Sequence, residues 1–464
     1  SSLHVLARGC GSTTSPGDHG IEVTMGSSWS SRRSPSESTS NDGDEGGGEW
    51  VGPDGLSQVY EELVNAIIRP PRMQYSPAND LGPAEFRHCG TRFRRVDLEL
   101  KNKREQRLVC SWWKFHPEEA PATQLPCVIY LHGNAACRIA AIELLKHLLA
   151  SGVTVFALDF AGSGLSDGEY VSLGYHERED VEVVIAHLRG SGEVSTVALW
   201  GHSMGATTAL LYGDRDPTIA AMVLDSPFSD FMQLANELAN NAREAGLRVP
   251  GFAISMAAGM IRRSVRRRAK FDPKDVSPLG NCGRCFIPAL FTHGERDVFI
   301  RPAHSQQLHE AYAGDKNLVL FDGDHNSERP EFLYDSAVIF LRQTLAVKEE
   351  HCLDSHGANN VFLRGNFGGG AVAVRRAEDE MMRQAMMLSV HEATMQQGQQ
   401  GPRVPEHELQ QAVSAFEAVT SVGGDTAAYY VHASLLQGEP VDSAIQHYFD
   451  SDCAPAPAGW RRPA

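Results

Sequence analysis

The sequence predicts an α/β fold class with a mostly parallel sheet, on three observations. Short, continuous apolar runs recur at 127–131, 153–159, 196–200, 219–225, 287–291 and 318–321. Helix-length segments lie between or after them, at 139–149, 175–188, 204–212, 303–312 and 330–345. Apolar runs that are continuous rather than alternating, and separated by helices, describe strands buried on both faces. The third observation is size: 464 residues exceed one compact domain at about 150 residues per domain, so further parts are expected.

In chain order, residues 1–50 are rich in Ser, Gly, Thr and Asp and poor in apolar side chains, a composition expected to be disordered. Within them, Met25-Gly26-Ser27-Ser28-Trp29-Ser30 fits the N-myristoylation pattern if translation starts at Met25; otherwise it is an internal Met-Gly in a tail. The globular body is expected over 51–347. It opens with two strands, 92–100 and 107–115, ahead of the regular alternation. A long, partly helical insert at about 228–282 interrupts that alternation where a short connection is expected, and reads as a lid. Its basic run from Arg262 to Lys270 reads as a solvated helix face, with contact to an anionic head group as the lesser alternative. Residues 348–376 then read as a linker, 377–393 as a single helix, 394–405 as a second linker, 406–451 as a three-helix unit and 452–464 as a tail.

Composition narrows the function. With 42 Lys+Arg against 58 Asp+Glu, the net charge of −16 argues against a nucleic-acid-binding surface. No run of about 18 apolar residues suggests a transmembrane span. The 9 cysteines are odd in number and scattered, which suits free thiols in a reducing, cytoplasmic compartment, membrane-associated if the myristoylation site is used. Cys282 and Cys285 form a C-x-x-C pair without a second pair, so zinc is not expected.

The chemistry-bearing segment is Trp200-Gly201-His202-Ser203-Met204-Gly205, a G-x-S-x-G that closes an apolar strand and opens a helix. A serine at so sharp a turn needs small residues two positions either side, and Gly201 and Gly205 supply them. A serine hydroxyl also needs an imidazole base held by a carboxylate. His325, just past the strand 318–321, is the candidate base, and Asp297, just past 287–291, the candidate carboxylate. Both fall at carboxyl ends of strands, where open α/β sheets bind ligands. Glu295, Asp322 and Asp324 lie close enough to compete for the carboxylate role, but the two aspartates are too near His325 in sequence to approach it from a separate strand end. For the oxyanion hole, Gly133 lets the loop after 127–131 fold back, so that the N–H of Asn134 or Ala135 joins that of Met204. The glycines of 159–167 lack the dinucleotide pattern and read as a tight loop beside the site.

These motifs together resemble the α/β-hydrolase superfamily, in its serine-aminopeptidase-like branch, which includes lysophospholipase-like enzymes and protein depalmitoylases with a similar His132-Gly-Asn-Ala135 segment. The resemblance covers about residues 60–345. It implies serine-dependent hydrolysis of an ester, thioester or amide, without a cofactor, on a small-molecule or acylated-protein substrate. Esters and thioesters are favoured over peptides. The cysteine-rich N-terminus of the depalmitoylases has no counterpart beyond Cys10.

The single helix at 377–393 has an acidic start, Glu378-Asp-Glu380, then Met382, Ala385, Met386, Ser389 and Val390 on one stripe, and Glu392 at its close. It is similar to a ubiquitin-interacting motif, which implies those five stripe residues as the ubiquitin contact. Its Gly- and Gln-rich flanks suggest that it stands free of the body, the alternative being an amphipathic helix packed on the hydrolase. The unit at 406–451 resembles ubiquitin-associated-like domains through Phe416-x-x-Val419-Thr420, Ala428-x-Tyr430 and Ala444-Ile445-x-x-Tyr448-Phe449, although Val422-Gly-Gly-Asp425 departs from the usual loop. The sequence therefore reads as a serine hydrolase with ubiquitin recognition, the alternative being a catalytically silent ubiquitin-binding adaptor on a hydrolase scaffold.

Overall fold

The structure is a computed structural model that describes residues 60–61, 64–244, 251–353 and 373–382. The expected N-terminal segment with its Met25 site, the 406–451 unit, and Ala385, Met386, Ser389 and Val390 lie outside these residues.

Among the described residues nine strands form one sheet: β1 (Glu85–His88), β2 (Thr91–Lys101), β3 (Arg107–Phe115), β4 (Leu125–Leu131), β5 (Thr154–Leu158), β6 (Val194–His202), β7 (Ala221–Asp225), β8 (Ala289–Gly294) and β9 (Lys316–Phe321). Their spatial order is β1-β2-β3-β5-β4-β6-β7-β8-β9. The first three pair antiparallel and β3 meets β5 antiparallel. From β5 to β9 every pairing is parallel. The burial of each strand explains its sequence. All residues of β4 and β5 are buried, so their apolar runs are continuous, whereas β2, near the edge, buries only Phe93 and Arg95 and exposes Asp97, Glu99 and Lys101. Strand β1 was not foreseen: its four residues alternate between exposed and buried and offer little apolar signal.

Helices α1 (Ile142–Ala150), α2 (Glu177–Gly190), α3 (Met204–Gly213), α6 (Ala303–Ala311) and α7 (Glu331–Thr344) cover the sheet. One core joins Val181, Val184 and Leu188 of α2, Leu210 of α3 and Leu308 of α6 to one sheet face. The second joins Leu144, Leu145 and Leu148 of α1 and Leu341 of α7 to the other, and includes Val374 and Ala377. The insert between β7 and β8 contains α4 (Phe231–Glu244) and α5 (Gly251–Ala269). Its basic run is in part tied down: Arg262 and Arg266 face Asp272, and Arg268 faces Glu61.

The region beyond 347 differs from a free linker. His351 is buried and Leu353 donates its N–H to Ala150 O at 2.8 Å. Residues 373–382 are helical (α8), with Val374, Ala377 and Glu378 buried against the body rather than standing clear of it. The flanking composition suggested exposure; the apolar pair Val374 and Ala377, spaced for one helix face, decides for docking. Cys282 and Cys285 are buried free thiols, and Cys285 Sγ lies 3.1 Å from the Tyr312 hydroxyl. Among the described residues, no helix is long and apolar enough to cross a membrane.

Candidate active site

At the carboxyl end of β6 the chain reverses into α3 through Ser203, whose φ of 51° and ψ of −115° are forced on a non-glycine residue. The turn is held by Ser203 N–H donating to Asp225 O at 2.8 Å and by Thr207 N–H donating to Ser203 O at 3.0 Å. The two flanking glycines are required by contact. A Cβ on Gly201 would lie 2.4 Å from Ala206 N, and one on Gly205 would lie 1.9 Å from Leu131 O. Strain of this kind costs about 1–3 kcal/mol and persists where the surroundings over-determine it. Here it lifts the hydroxyl out of the sheet plane towards the loops that follow β8 and β9.

Those loops bring His325 and Asp297 together with Ser203. His325 Nδ1 lies 2.6 Å from Asp297 Oδ2, and Nε2 lies 3.0 Å from Ser203 Oγ. With its proton on Nδ1, the imidazole donates to the carboxylate and accepts from the serine hydroxyl. All three side chains are buried. Asp297 Oδ1 also accepts from the N–H groups of Phe299 (3.0 Å) and Ile300 (2.8 Å), and His293 Nε2 lies 3.2 Å from Oδ2. Burial alone would raise the Asp297 carboxyl; His325 and the hydrogen bond from His293 hold it well below the usual carboxylate range. Of the competing carboxylates, Asp324 accepts from Asn326 N–H (3.1 Å) and Ser327 Oγ (2.7 Å), and Asp322 pairs with Arg296 at the surface. Glu295 is exposed.

The oxyanion candidates Asn134 and Ala135 sit on the loop after β4, and Met204 is the first residue of α3. Contact between Gly205 and the Leu131 carbonyl presses that loop against the start of α3. Within it, Ala135 has φ 61°. His132 fixes the loop from inside: Nδ1 donates to Gly133 O (2.8 Å), and Nε2 accepts from Phe160 N–H (3.0 Å). Burial lowers its pKa, in keeping with the neutral ring this requires. The 159–167 loop is a packing element, with Asp159 accepting from the N–H groups of Arg138 and Leu165, both at 2.8 Å.

Sequence reasoning missed a second buried carboxylate. Asp225, at the end of β7, meets Arg329 Nε at 2.9 Å, Thr292 Oγ1 at 3.0 Å and His202 Nδ1 at 3.2 Å. Arg329 also donates to the His325 carbonyl at 2.9 Å, so this network anchors the loop that carries His325. Burial pushes His202 down to about 4, so it stays neutral. Burial alone would raise Asp225, but Arg329 and His202 hold it far below the usual range. The only sequence signal was Asp225 closing an apolar strand. Helix α4 is fastened close by, with Glu237 Oε2 3.2 Å from His304 Nε2 on α6.

Residues 124–274 match the family described as serine aminopeptidase, S33, a span that contains Ser203 and the 131–135 loop but ends before Asp297. The uncharacterized protein YqkD of Bacillus subtilis is 28% identical over 214 residues, covering 45% of this chain and 66% of that protein. The lysophosphatidylserine lipase ABHD12 of Rattus norvegicus is 31% identical over 137 residues, covering 27% of this chain and 34% of the lipase. The solved structure of the Pyrococcus furiosus esterase Pf2001 superposes with a TM-score of 0.44 and 21% identity, over 60% of this chain and 100% of the esterase.

Replacing Arg329 by Met leaves Asp225 buried without its cation. The change is expected to lower stability by about 3–5 kcal/mol at pH 7, measured by urea unfolding. In the wild type, the Asp225 contribution is present above about pH 4 and lost as pH falls through its lowered folded pKa. The unpaired carboxyl of the variant is instead raised, so the deficit is expected to shrink as pH falls towards 4.

Proposed function

We propose that this chain is an α/β-hydrolase, esterase- or lipase-like, and that it cleaves an ester or thioester of a small-molecule or acylated-protein substrate, with Ser203 as nucleophile, His325 as base and Asp297 as its orienting carboxylate. The observation that carries this reading is the unbroken chain Ser203 Oγ, His325, Asp297 at 3.0 and 2.6 Å. In the first step Ser203 Oγ attacks the acyl carbonyl while His325 Nε2 takes its proton; the imidazolium is held by the ionised Asp297. The developing oxyanion accepts from N–H groups at Asn134 or Ala135 and Met204. Collapse expels the alcohol or thiol, to which His325 returns the proton, and water completes the second half by the same route. No metal or cofactor enters either half. The insert at 228–282 acts as a lid that shapes the acyl pocket; the Glu237 contact to His304 supports this by fastening α4 beside the Asp297 loop.

The same proposal assigns ubiquitin recognition to the C-terminal stripe Met382, Ala385, Met386, Ser389 and Val390, supported by its acidic lead and helical spacing. Weak sites on linkers gain from effective concentration on a ubiquitin chain. An Ala385→Asp variant is expected to weaken binding of labelled tetraubiquitin by about tenfold or more in fluorescence polarisation. Unchanged binding would remove this part of the reading and leave the hydrolase part standing.

For the chemistry, Ser203→Ala is expected to abolish labelling by a fluorophosphonate and lower kcat on p-nitrophenyl esters by about 10³-fold or more, and Asp297→Asn to lower kcat by about 10³- to 10⁴-fold. A folded Ser203→Ala protein that labels and hydrolyses like the wild type would overturn the assignment and favour the adaptor.

A further inference from the structure

Helix α8 meets two of the catalytic loops, the one after β4 and the one that carries His325. Glu378 lies against Gly133, where an added Cβ would come within 2.4 Å of Glu378 Oε1. Asn326, which follows His325, donates from Nδ2 to Asp379 Oδ1 at 2.8 Å. Met381 Sδ stands 4.0 Å from Asn134 Nδ2. Behind these contacts Arg375 pairs with Glu143 on α1 at 2.8 Å, and Val374 and Ala377 enter the core beside Tyr334. A cavity of about 60 Å³, bordered by Tyr130, His202, Arg329 and Glu378, remains beneath the helix.

Two features of this contact make it less favourable than an apolar helix seat would be. First, the docked face carries an ionisable group where apolar side chains would pack better: burial pushes the Glu378 carboxyl up to about 8. Second, the contact leaves polar atoms of the catalytic loops unsatisfied. Asn134 Oδ1 and Asn326 Oδ1 are both buried without a hydrogen-bond partner among the described residues, and water would satisfy both once the helix lifted away. A surface that fits an acidic, apolar helix well enough to hold it, yet leaves two amide oxygens unmet, suits an occupant that comes and goes.

We propose that the rim formed by the 132–135 and 325–329 loops is a docking surface for residues 373–382 of this same chain, a removable strap whose release opens the catalytic loops. The acidic run that docks is also the lead of the stripe assigned above to ubiquitin, so a partner gripping Glu378 to Glu380 has to lift the strap. The effect on turnover rests on the hydrolase reading; the docking itself does not.

The test uses the full chain. Asp379→Ala combined with Met381→Asp removes the acceptor for Asn326 and the apolar contact beside Asn134 without touching the catalytic loops, while Glu378→Gln keeps the shape of the buried acid. Hydrogen exchange read by mass spectrometry is expected to rise in the double variant over 373–382, and also over 132–136 and 324–328, with the rest of the sheet unchanged. The rate of fluorophosphonate labelling is expected to rise about fivefold or more in the double variant and not to rise in Glu378→Gln. Faster exchange of the strap without any change in the two catalytic loops or in labelling would overturn the proposal, as would a rise in Glu378→Gln equal to that in the double variant. If no form labels while exchange of strap and loops rises together, the hydrolase reading fails and the docking surface stands.

Discussion

A steric constraint at one turn governs the rest of the site. Ser203 can leave β6 at φ 51° only because Gly201 and Gly205 bear no Cβ, and Gly205 in turn lets α3 begin against the Leu131 carbonyl. That single close approach fixes three things together: the direction of the serine hydroxyl, the start of a helix whose first N–H groups are unpaired by the helix itself, and the position of the loop after β4. The parallel strand order places β4 and β7 on either side of β6, so the 131–135 loop and Asp225 reach the turn from opposite sides.

Electrostatics then hold the histidine. Two buried carboxylates flank it with different tasks. Asp297 accepts from His325 itself, and from two backbone N–H groups and His293, so it stays ionised although buried. Asp225 holds Arg329, which donates to the His325 carbonyl and so fixes the backbone rather than the ring. One carboxylate sets the tautomer and the other sets the place, and neither could do both from its strand end. Burying each is tolerable because every charged oxygen has a donor.

Much of this was legible in the sequence where residue type and chain position coincide. Gly201, Ser203 and Gly205 at a strand end, and Asp297 and His325 just past the last two strands, needed no structure to single out. The central strands were equally clear, since burial on both faces leaves a continuous apolar run. What escaped depended on contacts across the fold. Nothing near Asp225 or Arg329 in sequence shows that they meet, because 104 residues separate them. Residues 373–376 read as the end of a linker and 377–382 as the start of an exposed helix, yet Val374 and Ala377 find an apolar seat that only the assembled body of α1 and α7 provides.

The loops around Ser203 are thus approached from two sides, by α4 through Glu237 and His304 and by residues 373–382 through Glu378 and Asp379. The account stands first on Ser203 carrying the acyl group. The most direct measurement is stopped-flow hydrolysis of a p-nitrophenyl ester, quenched within the first turnover and mapped by peptide mass spectrometry. An initial burst approaching one p-nitrophenolate per chain, with the acyl group on the peptide that contains Ser203, is the expected result. Linear release with no acylated peptide, or an acyl group on any other residue, would contradict it.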